Sequence, residues 1–494
     1  MFLSVINHFD LRALDRARIS RDARFDGKFF IAVKTTGIYC RPICPSRTSH
    51  SRNVCYYPSA AAAAEAGFRP CLRCRPEAAP GTPAWMGTSA VVKKALRLID
   101  EGILDRASVD ELASKLGLGS RHLRRLFLQH VGASPISFAQ TRRLQFAKRL
   151  LDETNLPITQ IALASGFGSL RRFNTAFLQT YGRAPRELRK HLSEAADADD
   201  EVSLQLSFRP PYDWKQVRDF LFVHHIPGVE KIDEQGYSRT LRTEDGFAIV
   251  SVKPLLHEDA LELRVSGAAP ANLFQISSAA RRVFDTSADP ALTRSAFRSD
   301  PLLGPYVEQR PGLRIAGEWD AFECSVGAIL SEDSDQTLMA QVVERFGEKI
   351  GKHAFALTSL FPTPRAMVDG DFSGVGISRS RVNTIRKLAQ AVVDGALDFT
   401  ASSESVIESL TRIPEIDTSI AEYIALRSLG EPDAFPSNDL MLRRAVSNTV
   451  RPLSAQQLEA RSEAWRPWRG YAAFHLWCAT LECGGLAPLW SDQA

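Results

Sequence analysis

Polar and apolar residues alternate over Val202-Ser-Leu-Gln-Leu-Ser-Phe208 and over Gly246-Phe-Ala-Ile-Val-Ser-Val252, the period-two signature of β-strands. From about residue 270 onward the apolar spacing becomes helical and strand signals are few. An α+β lead-in followed by an all-α region is therefore predicted for the C-terminal part. Further upstream, residues 107–190 repeat themselves at a period of 49 to 50. Ala113, Gly117 and Ser120 recur as Ala162, Gly166 and Ser169; Leu123, Phe127, Gly132 and Pro135 recur as Phe173, Phe177, Gly182 and Pro185. Each copy reads as a short helix, a tight turn at the glycine and a second helix capped by serine, which is a helix-turn-helix used twice. A linking helix over roughly Pro135–Leu151 joins the copies.

Two linkers break the pattern. Ala78–Ser89 is rich in Pro, Gly and small residues, and Ser193–Glu201 is acidic and alanine-rich. They delimit a Cys-rich module (1–80), a basic helical module (88–192) and a large remainder, divided into a lobe at 202–310 and a helical domain at 311–490. The predicted fold class is multidomain and mainly α with α+β parts.

Charge sharpens this division. The 494 residues hold 61 Lys+Arg and 57 Asp+Glu, a net +4. Residues 1–80 carry +7, residues 91–190 carry +10, and residues 191–494 carry −13. The basic front half calls for a polyanion, most naturally nucleic acid. No run of about 18 apolar residues occurs, so no membrane span is expected. The first residues lack a basic stretch, a long apolar core and a small-residue cleavage site, so no secretory leader is predicted and the expected compartment is the cytoplasm. In such a chain eight cysteines favour metal binding over disulfides.

Cys40-Arg-Pro-Ile-Cys44 and Cys71-Leu-Arg-Cys74 supply two close thiolate pairs at spacings that a tetrahedral zinc accepts. Taken alone, the four could be a zinc knuckle that only folds its module. Arg41, Arg47, Arg69, Arg73 and Arg75 beside the ligands would set the cluster against a phosphate backbone. Cys55 lies outside the pattern as a half-buried small side chain, and Cys324, Cys478 and Cys483 read as core thiols.

Phe25-Asp-Gly-Lys-Phe-Phe30, Thr35-Thr-Gly-Ile-Tyr-Cys-Arg-Pro-Ile-Cys44 and Gly67-Phe-Arg-Pro-Cys-Leu-Arg-Cys74 closely resemble the N-terminal domain of the Ada alkylation-response proteins, over about residues 5–78. The resemblance implies one Zn2+ held by Cys40, Cys44, Cys71 and Cys74. Cys40 would also accept a methyl group from an Sp-methylphosphotriester in DNA, with Thr35, Arg47 and Arg69 on the DNA side. A methylphosphotriester is uncharged, so a thiolate can approach it, and zinc keeps the sulfur deprotonated at neutral pH. Four thiolates around Zn2+ carry net −2, and methylating one leaves −1. The drop in repulsion from the DNA backbone would switch on DNA affinity.

In the repeat, Arg121, Arg124 and Arg125 and then Arg171, Arg172 and Asn174 share the polar face of the second helices, with Leu123, Leu126, Phe127, Phe173, Ala176 and Phe177 inward. Arg and Asn suit guanine and adenine edges in the major groove, although charges on a helical face are often merely solvated. With Gly166-Phe167 and the Gly-x-x-Pro pairs, residues 90–190 resemble AraC-type activators, whose two units would enter successive major grooves.

Four segments of 202–490 resemble AlkA-type 3-methyladenine DNA glycosylases of the helix-hairpin-helix superfamily: Pro211–Glu230, Pro311–Leu330, Glu431–Arg444 and Trp465–Trp477. The resemblance makes Asp439 the catalytic carboxylate facing a positively charged sugar, and Tyr423 and Trp477 the rings that hold a flipped-out cationic base. The glycosylase step would need no cofactor. Asp439 also precedes Leu-Met-Leu-Arg-Arg444, where an Asp is a natural helix cap. The family hairpin, approximately Leu-x-x-Ile-Pro-Gly-Ile-Gly-x-Trp, reads Leu410-Thr-Arg-Ile-Pro-Glu-Ile-Asp-Thr-Ser419. Glu415 and Asp417 replace glycines, Ser419 stands at the tryptophan position, and Ser331-Glu-Asp-Ser-Asp335 replaces a second DNA-side loop. Non-glycine residues resist positive φ and carboxylates repel phosphate.

Two readings follow. One is an alkylation-damage protein that joins a methylphosphotriester-sensing activator to a glycosylase excising alkylated purines. The other keeps the sensor and activator and gives the C-terminal half only a structural or interaction role. In both, the partners are double-stranded DNA, alkylated and promoter, and RNA polymerase, with no membrane and a monomeric chain. No Pro-Cys-His-Arg motif occurs, against an O6-alkylguanine methyltransferase domain.

Overall fold

The computed structural model describes residues 11–80, 90–100, 102–189, 201–330, 336–351, 357–447 and 451–483. They form two compact units. The first comprises Met1–Pro210, Leu255–Arg281 and Thr286–Ala288; the second comprises Pro211–Pro254, Arg282–Asp285 and Asp289–Ala494. No described helix is long and apolar enough to cross a membrane.

The first unit opens with helix Leu11–Ser20 and a four-stranded sheet of β1 (Phe30–Val33), β2 (Ile38–Cys40), β3 (Val54–Tyr57) and β4 (Arg69–Pro70), in the order β3-β1-β2-β4. Strand β1 is antiparallel to β2 and β3, while β2 and β4 run parallel with Tyr39 opposite Pro70. Leu14, Phe29, Ile31 and Val54 pack on one side of this sheet, and Phe30, Ala32, Tyr39, Ala60 and Ala63 form a second cluster.

The repeat follows as helices Val109–Lys115 and Ser120–His130, the linking helix Pro135–Glu153, and helices Ile158–Ala164 and Leu170–Tyr181. The repeated glycines turn at matching places: φ is 68° at Gly117 and 77° at Gly166, then 76° at Gly132 and 70° at Gly182. The serine caps do not repeat. Ser169 accepts from the Arg172 N–H, whereas the first copy starts from Gly119 and Ser120 is already helical. Strands β5 (Glu201–Ser207) and β9 (Ala260–Ser266) pair antiparallel in this unit, from Glu201 opposite Ser266 to Ser207 opposite Ala260.

The second unit carries helix Trp214–Val223, capped by Asp213, and an antiparallel meander of β6 (Glu230–Ile232), β7 (Tyr237–Thr243) and β8 (Gly246–Pro254). From Asp289 on, its regular elements among the described residues are helical. They include Ala321–Leu330, Arg379–Val393, Ser403–Thr411, Thr418–Leu429, Leu440–Ala445 and Arg469–Cys483. Both strands expected from alternation are present, as is the helical remainder.

Candidate functional site

Parallel pairing of β2 with β4 builds the cysteine centre. Tyr39 lies beside Pro70, so the next residues, Cys40 and Cys71, leave the sheet side by side, and the Cys71 N–H donates to the Tyr39 carbonyl at 2.9 Å. Short turns bring back Cys44 and Cys74, and the four sulfurs lie within 4.8 Å of one another. Four thiols this close cannot all ionise unaided. Hydrogen bonds within the cluster push the Cys40 and Cys74 thiols up and pull those of Cys44 and Cys71 down. A divalent cation bound by soft sulfur removes the conflict, so the donor set fits zinc, which supplies charge that keeps all four as thiolates. Cys40 and Cys44 are partly exposed, while Cys71 and Cys74 are buried. Cys55 sits on β3 outside the cluster, and Cys324 and Cys478 are buried.

The arginines around this centre divide by role. Thr35, Arg47, Arg69 and Arg73 are exposed. Arg69 lies against Gly182, the left-handed cap of helix Leu170–Tyr181. Arg41 and Arg75 are turned inward instead. Arg41 pairs with Asp26 and donates to the Cys74 carbonyl at 3.2 Å. Arg75 reaches the linking helix, with Nε 2.9 Å from Asp152 and a second nitrogen 3.2 Å from Glu153. Lys148 lies 2.6 Å from the same Asp152 and 3.7 Å from Glu77, both buried. Breaking a buried network leaves an uncompensated charge, so Asp152→Ala is expected to destabilise the first unit by about 3 kcal/mol in denaturant unfolding.

On the second helix of each copy every side chain expected to face DNA is exposed: Arg121, Arg124 and Arg125, and Arg171, Arg172 and Asn174. Leu123, Phe127, Phe173, Ala176 and Phe177 are buried beneath them, and Leu126 is partly buried. The second turn is set by contact as well as by φ. Any side chain on Gly166 would meet the Asp105 carboxylate at 2.8 Å, and Asp105 holds Arg142 at 3.0 Å and Arg143 at 2.6 Å on the linking helix.

In the second unit Asp439, Tyr423 and Trp477 come together. Asp439 caps helix Leu440–Ala445 by accepting from the Leu442 N–H at 2.8 Å, and the same oxygen accepts from the Trp477 indole N–H at 3.3 Å. Burial pushes the Asp439 carboxyl above the usual carboxylate range, and these two bonds pull partly against it. The Tyr423 and Trp477 rings stand edge to face with centroids 6.0 Å apart.

Sequence reasoning missed what holds Tyr423. Arg427, fully buried, donates to the Tyr423 hydroxyl at 2.7 Å and to Glu318 at 2.5 Å, and it lies 4.9 Å over the Phe220 ring. The signal was the four-residue spacing from Tyr423, which puts both on one helical face.

The hairpin between helices Ser403–Thr411 and Thr418–Leu429 keeps its turn despite the lost glycines. Glu415 adopts φ 64°, a conformation costing roughly 1 kcal/mol outside glycine. Its carboxylate bonds the Ser380 hydroxyl and accepts from Thr384 at 3.0 Å. Asp417 has φ −80° and needs no glycine; it caps helix Thr418–Leu429 through the Ile420 N–H at 2.8 Å. Both carboxylates are thus engaged by their own chain. Ser331–Asp335, the other altered loop, lies outside the described residues.

Three family descriptions match: the metal binding domain of Ada over residues 13–77, a helix-turn-helix domain over 112–191 and the AlkA N-terminal domain over 203–320. A Mycobacterium tuberculosis protein called a probable bifunctional transcriptional activator/DNA repair enzyme AlkA is 38% identical, covering 96% of this chain and 97% of its own. DNA-3-methyladenine glycosylase 2 of Escherichia coli is 28% identical over 55% of this chain and 95% of its own. The Bacillus subtilis bifunctional transcriptional activator/DNA repair enzyme AdaA is 34% identical over 35% of this chain and 81% of its own. With a relative matched almost end to end and a four-cysteine centre of the Ada kind, the chain belongs to the family of bifunctional transcriptional activator/DNA repair enzymes that join an Ada zinc-binding domain and a helix-turn-helix domain to an AlkA-type glycosylase.

Proposed function

We propose that this chain senses alkylated DNA through Cys40, binds promoter DNA through the paired helix-turn-helix units, and excises alkylated purines at Asp439. The carrying observation is the meeting of Asp439, Tyr423 and Trp477 around one carboxylate. A purine alkylated on a ring nitrogen is cationic and departs easily, and the deoxyribose gains positive charge as the bond breaks. The Asp439 carboxylate would stabilise that charge while the electron-rich rings of Tyr423 and Trp477 hold the flipped base. Arg427, neutralised by Glu318, fixes the ring of Tyr423. In the first unit, Cys40, Cys44, Cys71 and Cys74 would hold the zinc, with Thr35, Arg47 and Arg69 placed toward phosphate. Arg121, Arg124, Arg125, Arg171, Arg172 and Asn174 would read the major groove. Double-stranded DNA is the principal partner and RNA polymerase the promoter partner of a monomeric, cytoplasmic chain.

The test offers the intact protein two duplexes. A duplex with one Sp-methylphosphotriester should give up one methyl per chain and then stop; a duplex methylated on its purines should release free base over many turnovers. Methyl uptake without base release would leave the C-terminal half as an interaction module.

A further inference from the structure

Two of the residues that depart from the family hairpin, Asp417 and Ser419, converge on the residue before Asp439. Asn438 donates its backbone N–H to the Ser419 hydroxyl at 3.0 Å and its side-chain amide to Asp417 Oδ2 at 3.0 Å. Its amide oxygen accepts from Arg443 at 3.4 Å. Asp417 therefore divides its carboxylate, Oδ1 capping helix Thr418–Leu429 and Oδ2 holding Asn438. Three residues along the same helix, Glu422 accepts from the Phe435 N–H at 3.2 Å. Positions 419 and 422 share one helical face, so the start of the hairpin helix grips the loop leading to Asp439 at successive points. The glycine and tryptophan of the family pattern supply neither acceptor, since glycine has no side chain and the indole N–H only donates.

We propose that Asp417 and Ser419 are positioning residues for base excision, holding Asp439 in register with the hairpin through Asn438; the inference rests on the reading of Asp439 given above. Asp439 is fixed on its far side by the bond to the Leu442 N–H, and Asn438 fixes its near side. Bracing Asn438 to the hairpin helix fixes where the Asp439 carboxylate stands relative to that helix and so to whatever lies before it. Displacements of about 1 Å at such a site cost roughly a hundredfold in rate.

The experiment measures affinity of the full chain for two duplexes, one with a cationic pyrrolidine in place of a nucleotide and one with a neutral tetrahydrofuran. The ratio of the two affinities reads how well the Asp439 charge is aimed, which a merely structural change would not move. The parent chain should prefer the cationic site. Asn438→Ala and Ser419→Ala, each shown folded by an unchanged thermal melt, should lower that preference about tenfold, the worth of one or two hydrogen bonds, with the neutral affinity kept. Ser419→Thr keeps the hydroxyl and should restore it. An unchanged ratio in both alanine variants would overturn the inference alone, as would an equal loss for both duplexes. A parent chain without any preference would overturn the catalytic reading of Asp439, and the inference with it.

Discussion

Asp439→Asn is expected to lower base release from methylated duplex DNA by about a thousandfold, the scale seen when one preorganised electrostatic group is removed from a reaction centre. The substitution isolates charge. Asn and Asp are equally good helix caps, so the bond to the Leu442 N–H and helix Leu440–Ala445 survive, whereas Asp439→Ala would also lose the cap, about 1 kcal/mol. The folded-state pKa of Asp439 is raised by burial, so the folded chain binds this proton more tightly than the unfolded chain does. Stability from this group is therefore present at low pH and lost as pH rises through the folded-state pKa. The Asn variant should accordingly be no less stable than the parent at neutral pH, which a thermal melt checks. The same shift places the acid limb of base release above the ordinary carboxylate range. Trp477→Phe removes an N–H donor that favours the ionised form, so it should move that limb to still higher pH. Base release by Asp439→Asn equal to that of the parent would remove Asp439 from the chemistry.

Short-range patterns were legible in the sequence and distant partners were not. The metal centre could be read because two Cys pairs announce their own spacing, and the double helix-turn-helix because paired glycines recur 49 or 50 residues apart and both members adopt positive φ. Parallel pairing of β2 with β4, which brings those Cys pairs together, joins segments about thirty residues apart with no local signal. Arg41 and Arg75 looked like phosphate ligands because their neighbours in sequence are Cys ligands; their partners, Asp26 and Asp152, are far away in the chain. The contacts of the acidic hairpin were hidden for the same reason. Counted locally, Glu415 and Asp417 are two charges where phosphate should sit, and in the fold their oxygens are taken by Ser380, Thr384, Ile420 and Asn438.

Methyl transfer from a methylphosphotriester duplex is expected to place one methyl group on Cys40 and none on Cys44, Cys71 or Cys74, as read by peptide mass spectrometry of the unmodified chain. Exposure narrows the choice to Cys40 and Cys44, because the other two sulfurs are buried. Cys74 is further damped by the Arg41 N–H, which donates to its sulfur at 3.3 Å. Of the two partly exposed sulfurs, Cys40 is the expected acceptor by its likeness to the Ada metal binding domain. Cys40→Ser should reduce uptake from one methyl per chain to none, and Cys55→Ser, outside the cluster, should leave it at one. Alkylating Cys40 converts a thiolate to a neutral thioether and removes one negative charge beside the DNA backbone. At a surface effective dielectric a unit charge a few ångströms from a phosphate is worth a few kcal/mol, before salt screening reduces it. The methylated chain should therefore bind duplex DNA at least about tenfold more tightly at low salt, with the gain shrinking as ionic strength rises. A methyl group recovered on Cys44 would reassign the acceptor, and a gain indifferent to salt would show that the switch works through shape instead of charge.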